Sequence, residues 1–399
     1  MTRVKISEIT FHKVNIPFEA PLRWSGGVEA GWTRCIIKMR TDDGLEGIGE
    51  TQGGEPTLVQ LHQIKAMFLG EDPFDLEHIL KKTWWVPFYH GTTGRLAISG
   101  LEMCCWDIMG KATGRPLCQL LGGKLRTKIP FAAYIFYRHR SKEGRGGETT
   151  PDEIVEHTRD LVSKHGFKTI KLKGGVLPPE DEYRCTAALR EAFPEHRLRF
   201  DPNALWSVET SIRIGRRFEQ LDLEYYEDPC WGIEGMSRAR ANVRIPFATN
   251  MCVTNLDHLP VAIRLGAIDV LLGDSQEWGG IITIKKAAAT CQTFQMGFTL
   301  HSGGEIGIST AAYLHIAASL PVLPYALDSH YHHQTLDVIT APHVYVDGCF
   351  TLPEGPGLGV EIDEDRLAEL EEANRREGDI LIYAHDEEQR RNPPFQGQW

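Results

Sequence analysis

The sequence lacks the excess of basic residues that a nucleic-acid-binding protein needs. Its 399 residues include 43 Lys and Arg against 54 Asp and Glu, which gives a formal net charge of -11. Because a phosphate backbone is bound through a basic surface, we expect no nucleic-acid partner. A small anionic substrate is compatible with this charge, since a few lysines and a metal ion can form a positive site inside an acidic protein.

The chain also lacks the features of a secreted or membrane protein. Its nine cysteines include no CxxC pair, and an odd number without motif spacing is typical of reduced thiols in a cytosolic protein. The first residues, MTRVKISEIT, contain no apolar block of the kind found in signal peptides, and no apolar run reaches membrane-spanning length. We therefore predict a cytoplasmic protein without a membrane partner.

Motifs for several common chemistries are missing as well. Neither GxGxxG nor GxxxxGK[ST] occurs, so a loop that cradles nucleotide phosphates is not indicated, and the GxSxG motif of serine hydrolases is absent. The composition is that of an ordinary globular protein, with 42% hydrophobic and 24% charged residues. The length is sufficient for two domains with a large core.

The N-terminal part reads as an α+β unit. Three strands are predicted at residues 4–16, 34–40 and 45–49, followed by amphipathic helices at 57–69 and 95–111. Between the first two strands we expect a long loop at 20–31, and a second glycine-rich stretch, GIGETQGGE, occupies 47–55. Long loops of this kind are often lids, so both segments (about 20–31 and 47–57) are predicted to be lid loops.

From about residue 128 the pattern changes to alternating strands and helices. Thr150 and Glu153 form a capping box at the start of one helix, and Gly166 is expected to end it. Further helices are predicted to begin at Thr254 and Ile281 and to end at Gly266 and Gly297. Each is followed by a short apolar strand, which is the pattern of a repeated βα unit.

A polar residue closes each of six successive predicted strands, with spacings of 23 to 28 residues: Lys173, Asp201, Glu227, Asn250, Asp274 and His301. One βα unit of an eight-unit barrel takes about 25–30 residues, and the catalytic groups of such barrels lie at the C-terminal ends of the strands. We therefore predict a closed parallel barrel. An open doubly wound sheet is the alternative, but it would concentrate its site at one switch point.

Lys171 and Lys173 lie two residues apart on one predicted strand and should face the same side. Two neighbouring ammonium groups disfavour each other's charge, so the pKa of at least one should fall toward neutrality and make it a usable general base. A solvated strand end is the alternative interpretation.

Asp201, Glu227 and Asn250 supply three oxygen ligands on successive strand ends. Hard oxygen ligands without Cys or His fit Mg²⁺, with water completing an octahedral site. Each residue alone could be part of an ordinary turn, but their equivalent positions at the ends of three consecutive strands favour a metal site.

Asp274 and His301 follow on the next two strands, where the carboxylate would fix the imidazole tautomer and raise the pKa of the second ring nitrogen. A lone histidine is more often structural. The cluster His330, His332 and His333 would permit zinc, but no zinc motif accompanies it.

These residues together resemble the enolase superfamily, in particular its mandelate racemase/muconate lactonizing enzyme-like members and, among them, the glucarate dehydratase subgroup. The resemblance covers nearly the whole chain. It rests on the KxK pair, on Asp, Glu and Asn as successive ligands, and on local strings: GIGETQGGE, AYIFY (133–137), LDSH (327–330) and PGLGVEID (356–363).

The resemblance implies a modified TIM barrel, (β/α)7β, at residues 126–335. It also implies an α+β capping domain at 1–125, and a C-terminal segment, 336–399, that packs back on the capping domain. Mg²⁺ would be held by Asp201, Glu227 and Asn250. Lys173, with Lys171 beside it, would act on one face of the substrate, and His301, oriented by Asp274, on the other. Asn203 would join these catalytic residues, and the substrate would be contacted by Tyr134, Ser302, His330, Arg23 and Thr93.

The resemblance further implies an acid-sugar (aldarate or aldonate) dehydratase. It would remove the proton α to a carboxylate through an enediolate and eliminate the β-hydroxyl, giving a 2-keto-3-deoxy sugar acid. The chain has Arg23 and Val28 where the subgroup carries Asn and His, and Gly303 and Gly304 where it carries polar amides, so the substrate should differ from glucarate. Arg23 could pair with a second carboxylate, which would favour a diacid.

A racemase or epimerase of hydroxy acids with the same two bases is the alternative, and a non-catalytic sugar-acid binder is a third hypothesis. Under each of these three hypotheses we expect a homo-oligomer that binds a small acid sugar.

Overall fold

The computed structural model of the protein describes residues 4–380. Its N-terminal part is a three-stranded antiparallel sheet followed by helices that pack on one face of it. The strands are β1 (Ile6–Trp24), β2 (Gly27–Thr41) and β3 (Glu46–Gln52). The helices are α1 (Glu55–Phe68), α2 (Leu76–Lys82), α3 (Trp85–Thr113) and α4 (Leu117–Leu120). Helix α3 begins earlier than predicted and is interrupted at Gly91, whose φ is 55°.

The segment predicted as the first lid loop, residues 20–31, is a β-hairpin. Strand β1 continues to Trp24 and the chain returns at Gly27, so the two strands stay paired up to their two-residue turn. A register shift between Pro17 and Leu22 redirects the hairpin, and Leu22 and Arg23 then pair with the first strand of the barrel. The loop prediction was wrong because a bulge interrupts the alternation of apolar and polar residues that identifies a strand. The second predicted lid is reduced to a short turn between β3 and α1.

The C-terminal part is a parallel barrel, as predicted. Following the short β4 (Lys128–Pro130), seven parallel strands pair in sequence order: β5 (Ala132–Arg138), β6 (Thr169–Lys173), β7 (Arg197–Asp201), β8 (Leu223–Glu227), β9 (Phe247–Thr249), β10 (Val270–Gly273) and β11 (Gly297–Leu300). Leu327 bridges to Phe131, and the backbone N–H of Asp328 donates to the Leu300 carbonyl. This short segment takes the eighth strand position and closes the (β/α)7β barrel.

Seven helices follow the seven barrel strands: α5 (Pro151–His165), α6 (Pro179–Ala192), α7 (Val208–Phe218), α8 (Ile233–Arg240), α9 (Leu259–Leu265), α10 (Ile281–Thr293) and α11 (Gly307–Ser319). The capping box of Thr150 and Glu153 and the left-handed end at Gly166 are both confirmed in α5. The helix predicted from Thr254 begins with a 3-10 turn at Leu256. Helix α10 ends before Gly297, because Gln295 takes the left-handed conformation expected of a glycine and Gly297 starts β11.

The last described elements return to both parts of the chain. Strand β12 (Cys349–Thr351) pairs with β4, and α12 (Glu364–Glu377) packs along β1, where the Glu371 carboxylate lies 3.0 Å from His12 Nδ1. Residues 381–399, the end of the predicted C-terminal segment, lie outside the described residues. Across residues 4–380, no helix is both long enough and apolar enough to cross a membrane.

Two buried carboxylates join the N-terminal sheet and helices to the barrel. Glu50 on β3 accepts hydrogen bonds from the backbone N–H groups of Ile306 (2.9 Å) and Ser309 (2.7 Å) at the start of α11. Glu102 on α3 accepts in the same way from Ile281 and Ile282 at the start of α10. Backbone N–H groups at a helix N-terminus have no intrahelical partner. These carboxylates therefore supply hydrogen-bond acceptors to the first N–H groups of α10 and α11.

Glu50 also forms a wholly buried ion pair with Arg34, whose Nη2 lies 2.8 Å from Glu50 Oε1. We predict that Glu50→Gln lowers the free energy of unfolding by about 3–5 kcal/mol, because the substitution leaves a buried guanidinium without its counter-charge and replaces one of the two acceptor oxygens by an NH2 group. Urea unfolding followed by circular dichroism measures the effect. The matched control is Glu364→Gln, which removes the exposed partner of Lys38 and should change stability by about 1 kcal/mol or less. Equal urea midpoints for the two variants would contradict the proposed role of Glu50 in the joint, that is, in the contact of Glu50 and Glu102 with the starts of α11 and α10.

Candidate active site

The six polar residues predicted to close the strands all lie at the C-terminal end of the barrel. Lys173, Asp201 and Glu227 are the last residues of β6, β7 and β8. Asn250, Asp274 and His301 come directly after β9, β10 and β11. Parallel strands in register bring these positions to one edge, and Lys173 is the register partner of Asp201. The strand-end prediction is therefore confirmed for all six.

Lys171 connects the carboxylates beneath the barrel mouth. Its Nζ lies 2.6 Å from both Asp328 Oδ2 and Glu227 Oε2, and 3.5 Å from Asp201 Oδ2. All four side chains are fully buried. A buried charge is tolerated only when it is paired and hydrogen-bonded, so the burial of Lys171 depends on the carboxyl groups around it.

The expected fall in lysine pKa does not occur. Burial alone would lower the pKa of Lys171, but Asp328 and Glu227 raise it well above its usual value. The pKa of Lys173 is also raised, because Asp201, at 2.7 Å from its Nζ, outweighs burial and the charge of Lys171. The prediction considered the repulsion between the two lysines and omitted the carboxylates, which lie far away in the sequence.

Glu227 is less well satisfied than its neighbour Asp201, which is paired with Lys173. Burial, followed by the nearby Asp201, raises the pKa of Glu227 to about 8. Glu227 Oε2 is close to Lys171 Nζ, but it receives no hydrogen bond of acceptable geometry. A buried acceptor without a donor is rare in folded proteins and suits a bound cation.

Asn250 brings its side-chain amide to the same carboxylates. One terminal amide atom lies 3.1 Å from Asp228 Oδ2 and 3.3 Å from Glu227 Oε1, and the other lies 3.3 Å from His301 Nε2. With nitrogen in the first position, the amide donates to both carboxylates. With oxygen there, acceptor atoms face one another, an arrangement that a cation between them would stabilise. The three predicted ligands thus converge, and their oxygens fit a hard divalent cation.

Asn203 links Lys173 to the hairpin. Lys173 Nζ donates to Asn203 Oδ1 at 2.5 Å, and Asn203 Nδ2 donates to the Ser25 hydroxyl at 2.6 Å. Asn203 has a φ of 55°, a left-handed conformation that asparagine tolerates better than most residues. This backbone turn directs the amide back toward the strand that it follows, and it brings the tip of the hairpin into contact with the barrel.

His301 is oriented by Asp274, as predicted. Its Nδ1 lies 3.2 Å from Asp274 Oδ2, which leaves Nε2 facing Asn250. Asp274 is itself held by the Tyr313 hydroxyl (2.9 Å) and by the backbone N–H of Gln276 (2.8 Å). Burial alone would lower the pKa of His301, but the hydrogen bond and charge of Asp274, with the charge of Glu277, raise it to about 9.

A cavity of about 780 Å³ lies above these residues, between the barrel mouth, the hairpin and the turn that follows β3. Lys173, Asn203, Asn250 and His301 line its floor. Of the predicted substrate contacts, Tyr134, Ser302 and His330 also line it. The Ser302 hydroxyl donates to Glu305 Oε2 at 2.6 Å and accepts from His330 Nδ1 at 2.8 Å. Burial holds the pKa of His330 well below its usual value, so this imidazole is neutral.

Two predicted substrate contacts do not line the cavity: Arg23 and Thr93. Arg23 pairs across the hairpin with Val28, whereas Glu29 pairs with Leu22 on the other face. Since side chains alternate along a strand, Arg23 and Val28 point away from the face that carries Trp24 and Glu29. The prediction chose Arg23 because it is the only cation of residues 20–31, and it did so without the hairpin register. Thr93 lies in α3.

Three further acidic residues of the site were not predicted. Asp328, in the LDSH string, is the main partner of Lys171. Glu29 and Glu277 both line the cavity. Asp328 at the eighth strand position could have been found by extending the same spacing rule to a seventh polar residue. Glu29 required the hairpin register, and Glu277 lies in a turn whose path the sequence does not determine.

The histidine cluster does not form a zinc site. The Nε2 atoms of His332 and His333 lie 3.1 and 2.9 Å from the same backbone carbonyl, that of Tyr134. These two imidazoles therefore hold strand β5 in place, and only His330 of the three faces the cavity.

Comparisons with known proteins agree with this architecture. Residues 6–122 match the family described as "Mandelate racemase / muconate lactonizing enzyme, N-terminal domain", and residues 153–366 match "Enolase C-terminal domain-like". The chain is 38% identical over 379 residues to a protein of Streptomyces coelicolor named "Probable glucarate dehydratase", and the match covers 88% of each chain. It is 25% identical to an "N-succinyl-L-Arg/Lys racemase" of Bacillus cereus, over 92% of this chain and 98% of that protein.

Among solved structures, an enolase from Thermobispora bispora, crystallised with magnesium and formate, is 39% identical. It superposes with a TM-score of 0.92 over 99% of this chain and all of that chain. The family matches cover most of the sequence, and both the relative and the structure exceed 30% identity over nearly its whole length. This chain therefore belongs to the enolase superfamily, with the N-terminal domain of the mandelate racemase/muconate lactonizing enzyme family.

Proposed function

We propose that this protein is a Mg²⁺-dependent acid-sugar dehydratase that removes the proton α to a carboxylate and then eliminates the β-hydroxyl as water. The observation that carries the proposal is that Lys173 and His301 both line one cavity, with the oxygens of Asp201, Glu227 and Asn250 close to them. Its similarity to the Streptomyces coelicolor protein supports the same reaction class.

Asp201, Glu227 and Asn250 are the residues that would hold Mg²⁺. The donor set is all oxygen, the carboxylates are buried, and Glu227 Oε2 lacks a hydrogen-bond donor, so the fit is good. When bound, the ion would supply positive charge close to the substrate carboxylate and make the α-proton more acidic. The relative crystallised with magnesium has the same fold over nearly its whole length.

Lys173 would take the α-proton in its neutral form. The raised pKa of Lys173 disfavours this form while Asp201 pairs with it, and a cation held by Asp201 would weaken that effect. Lys173 is the lysine of the pair that reaches the cavity, whereas Lys171 lies one layer deeper, between Glu227 and Asp328. Asn203 and Asp201 hold its Nζ in a fixed position, as a general base requires. The positive charge of Lys171, and of Lys173 as it receives the proton, also opposes the negative charge that develops on the substrate carboxylate.

His301 would supply the proton that the leaving hydroxyl needs. Its orientation by Asp274 and its raised pKa keep it protonated at neutral pH, which suits a general acid. The electron pair of the broken C–H bond forms the new Cα–Cβ double bond. The β-hydroxyl leaves with the proton from His301, and tautomerisation gives the 2-keto-3-deoxy acid.

A racemase or epimerase is the second candidate. Lys173 and His301 would then act as two bases on opposite faces of one carbon, with no loss of water. The relative named as a racemase favours this candidate, although its identity is lower. A library of acid sugars separates the two functions: semicarbazide detects a 2-keto product after dehydration, whereas inversion without such a product indicates racemisation. A library that yields neither outcome argues against both.

The first prediction from this site concerns the metal. Removal of divalent ions with EDTA should abolish turnover, and Mg²⁺ should restore it, because Asp201, Glu227 and Asn250 supply oxygen ligands for the ion and Glu227 Oε2 lacks a hydrogen-bond donor. Glu227→Gln should weaken Mg²⁺ binding in a calorimetric titration. Asp269→Asn, which changes a partly exposed carboxylate paired with Arg240, is the control and should leave the titration unchanged. Full activity after exhaustive chelation would exclude the metal.

The second prediction concerns the base. Lys173→Met should reduce kcat by about 10²–10⁴-fold, the usual contribution of a general base. It should also abolish exchange of the substrate α-proton with solvent deuterium, measured by NMR. The exposed Lys168, at the start of the same βα unit, is the matched control, and Lys168→Met should behave as wild type. Near-normal exchange in Lys173→Met would assign the base elsewhere.

The third prediction separates the acid from the base. In a dehydratase, His301→Asn should retain α-proton exchange by Lys173 while loss of water falls severely. Asp274→Asn should show the same pattern, because Asp274 orients the His301 imidazole. Its effect on Mg²⁺ binding should be smaller than its effect on turnover. If the enzyme is a racemase, His301→Asn should instead leave exchange from one epimer and remove it from the other. If both variants eliminate water at the wild-type rate, His301 is not the general acid.

A further inference from the structure

A chain of hydrogen bonds at the wall of the cavity is not used by the proposed reaction. The Ser302 hydroxyl oxygen lies 2.8 Å from His330 Nδ1 and 2.6 Å from Glu305 Oε2, so one hydroxyl group joins the imidazole to the carboxyl group. Ser302 and His330 line the cavity, whereas Glu305 lies behind Ser302. All three residues are buried, with His330 the most exposed at 6%, so the chain is shielded from bulk water.

His330 carries a single ring proton. Burial, together with the positive charges of His301 and Lys173, holds the pKa of His330 well below its usual value, so the ring stays neutral. A neutral imidazole is a donor at one nitrogen and an acceptor at the other. Nδ1 faces Ser302, and Nε2 has no hydrogen-bond partner within residues 4–380. The role of Nδ1 in the chain therefore decides what Nε2 offers to a ligand.

The charge of Glu305 sets the direction of the chain. Glu305 Oε1 accepts from the backbone N–H of Gly303 at 2.7 Å, so an added proton goes to Oε2, the oxygen that faces Ser302. While Glu305 is ionised, it accepts from Ser302, Ser302 accepts from Nδ1–H of His330, and Nε2 is an acceptor. When Oε2 carries a proton, it donates to Ser302, Ser302 donates to Nδ1, and the ring proton lies on Nε2.

Glu305 changes its charge near neutral pH. Burial, followed by the charge of Asp274, raises the pKa of Glu305 to about 7, while the hydrogen bond from Ser302 and the charge of Arg34 oppose this rise. The titratable and charged groups that face Glu305 come from β2, the turn after β10, α11 and the segment before β12: Arg34, Asp274, Glu277, Tyr313 and Tyr345. Those that act on His330 are His301, Lys173, His332 and Lys171. Both forms of the Glu305 carboxyl group are therefore populated at neutral pH.

We propose that Glu305 and Ser302 are positioning residues that set the hydrogen bond His330 offers to a ligand: Nε2 is an acceptor while Glu305 is ionised and a donor once Glu305 has taken up a proton. One proton enters the chain at Nε2, the Nδ1 proton passes to Ser302, and the Ser302 proton passes to Glu305, so no charge remains on the ring. A ligand hydroxyl satisfies either form, whereas a carboxylate oxygen is satisfied only by the donor form. The proposal rests on the proposed function only in taking an acid sugar as the ligand.

The test reads the tautomer of His330 directly. The full-length protein with Mg²⁺ is labelled with ¹⁵N at histidine, sedimented, and studied by solid-state ¹⁵N NMR from about pH 5.5 to about pH 9, the range around neutrality in which such groups titrate. The His330 signals are those missing from His330→Gln. In wild type, the ring proton should lie on Nδ1 at the alkaline end and move to Nε2 with a midpoint near pH 7, where Glu305 titrates, without an imidazolium signal.

Glu305→Gln should keep the ring proton on Nε2 at every pH. Its amide oxygen can accept from the Gly303 N–H, which leaves the NH2 group to donate to Ser302 as the protonated carboxyl group does. Ser302→Ala is the second variant, which interrupts the chain and should also abolish the pH-dependent change of tautomer if Glu305→Gln does not fold.

Glu277→Gln is the matched control. The pKa of Glu277 is likewise raised to about 7, mainly by burial, and Glu277 lines the same cavity, but it forms no hydrogen bond with Ser302. The change of tautomer should persist in this variant, with its midpoint displaced by about one pH unit or less, since Glu277 acts on Glu305 only through its charge.

A wild-type tautomer that does not change with pH would overturn the proposal. A change that survives in Glu305→Gln or Ser302→Ala, or an imidazolium form of His330 in this range, would do the same. Because the tautomer is read without turnover, the result is independent of the proposed function. A 2-keto product from acid sugars without any change of tautomer removes the role of Glu305 and leaves the dehydratase intact. A change of tautomer without any keto product supports the role of Glu305 and counts against the dehydratase.

Discussion

The structure depends on a balance of buried charge beneath the barrel mouth. Lys171 contacts three carboxylates, and Asp328 among them also accepts from Arg199 at 3.2 Å. The side chains of this cluster are fully buried, so the charges in it are tolerated only because they are paired with one another. The seven strands and the closing segment must all be in register for this balance to exist. The cluster therefore ties the closure of the barrel to the formation of the site, and the Glu227 oxygen without a hydrogen-bond donor offers a ligand to a cation.

The sequence determines the positions of the strand-end residues well, because one polar residue per βα unit follows directly from the geometry of a closed parallel barrel. It also predicts the pairing of Asp274 with His301, since neighbouring strands place the two side by side. The electrostatics could not be obtained in the same way. The pKa of Lys171 is set by Asp328, which is 157 residues away in sequence and meets the lysine only when the eighth strand position closes the ring.

The hairpin shows a second limit of sequence reasoning. The register shift between Pro17 and Leu22 changes which side chains face the cavity, and a shift of one residue exchanges the two faces of a strand. The sequence alone allows either Arg23 or Glu29 to face the cavity, and only the register of the two hairpin strands decides which of them does. The same hairpin reaches Lys173 through Ser25 and Asn203, so the position of the base depends on the hairpin that shapes the cavity above it.

The joint formed by Glu50 and Glu102 has a consequence for the history of such two-part enzymes. Both carboxylates belong to the N-terminal part, and their partners at the starts of α10 and α11 are backbone N–H groups. Every residue except proline provides such a group, so the barrel can change its side chains at these positions without losing the joint. Recombination between relatives should therefore be tolerated at the boundary of the two parts whenever the incoming N-terminal part carries the two carboxylates. New substrate preferences could then spread by exchange of the part that carries the hairpin, while the barrel keeps its chemistry.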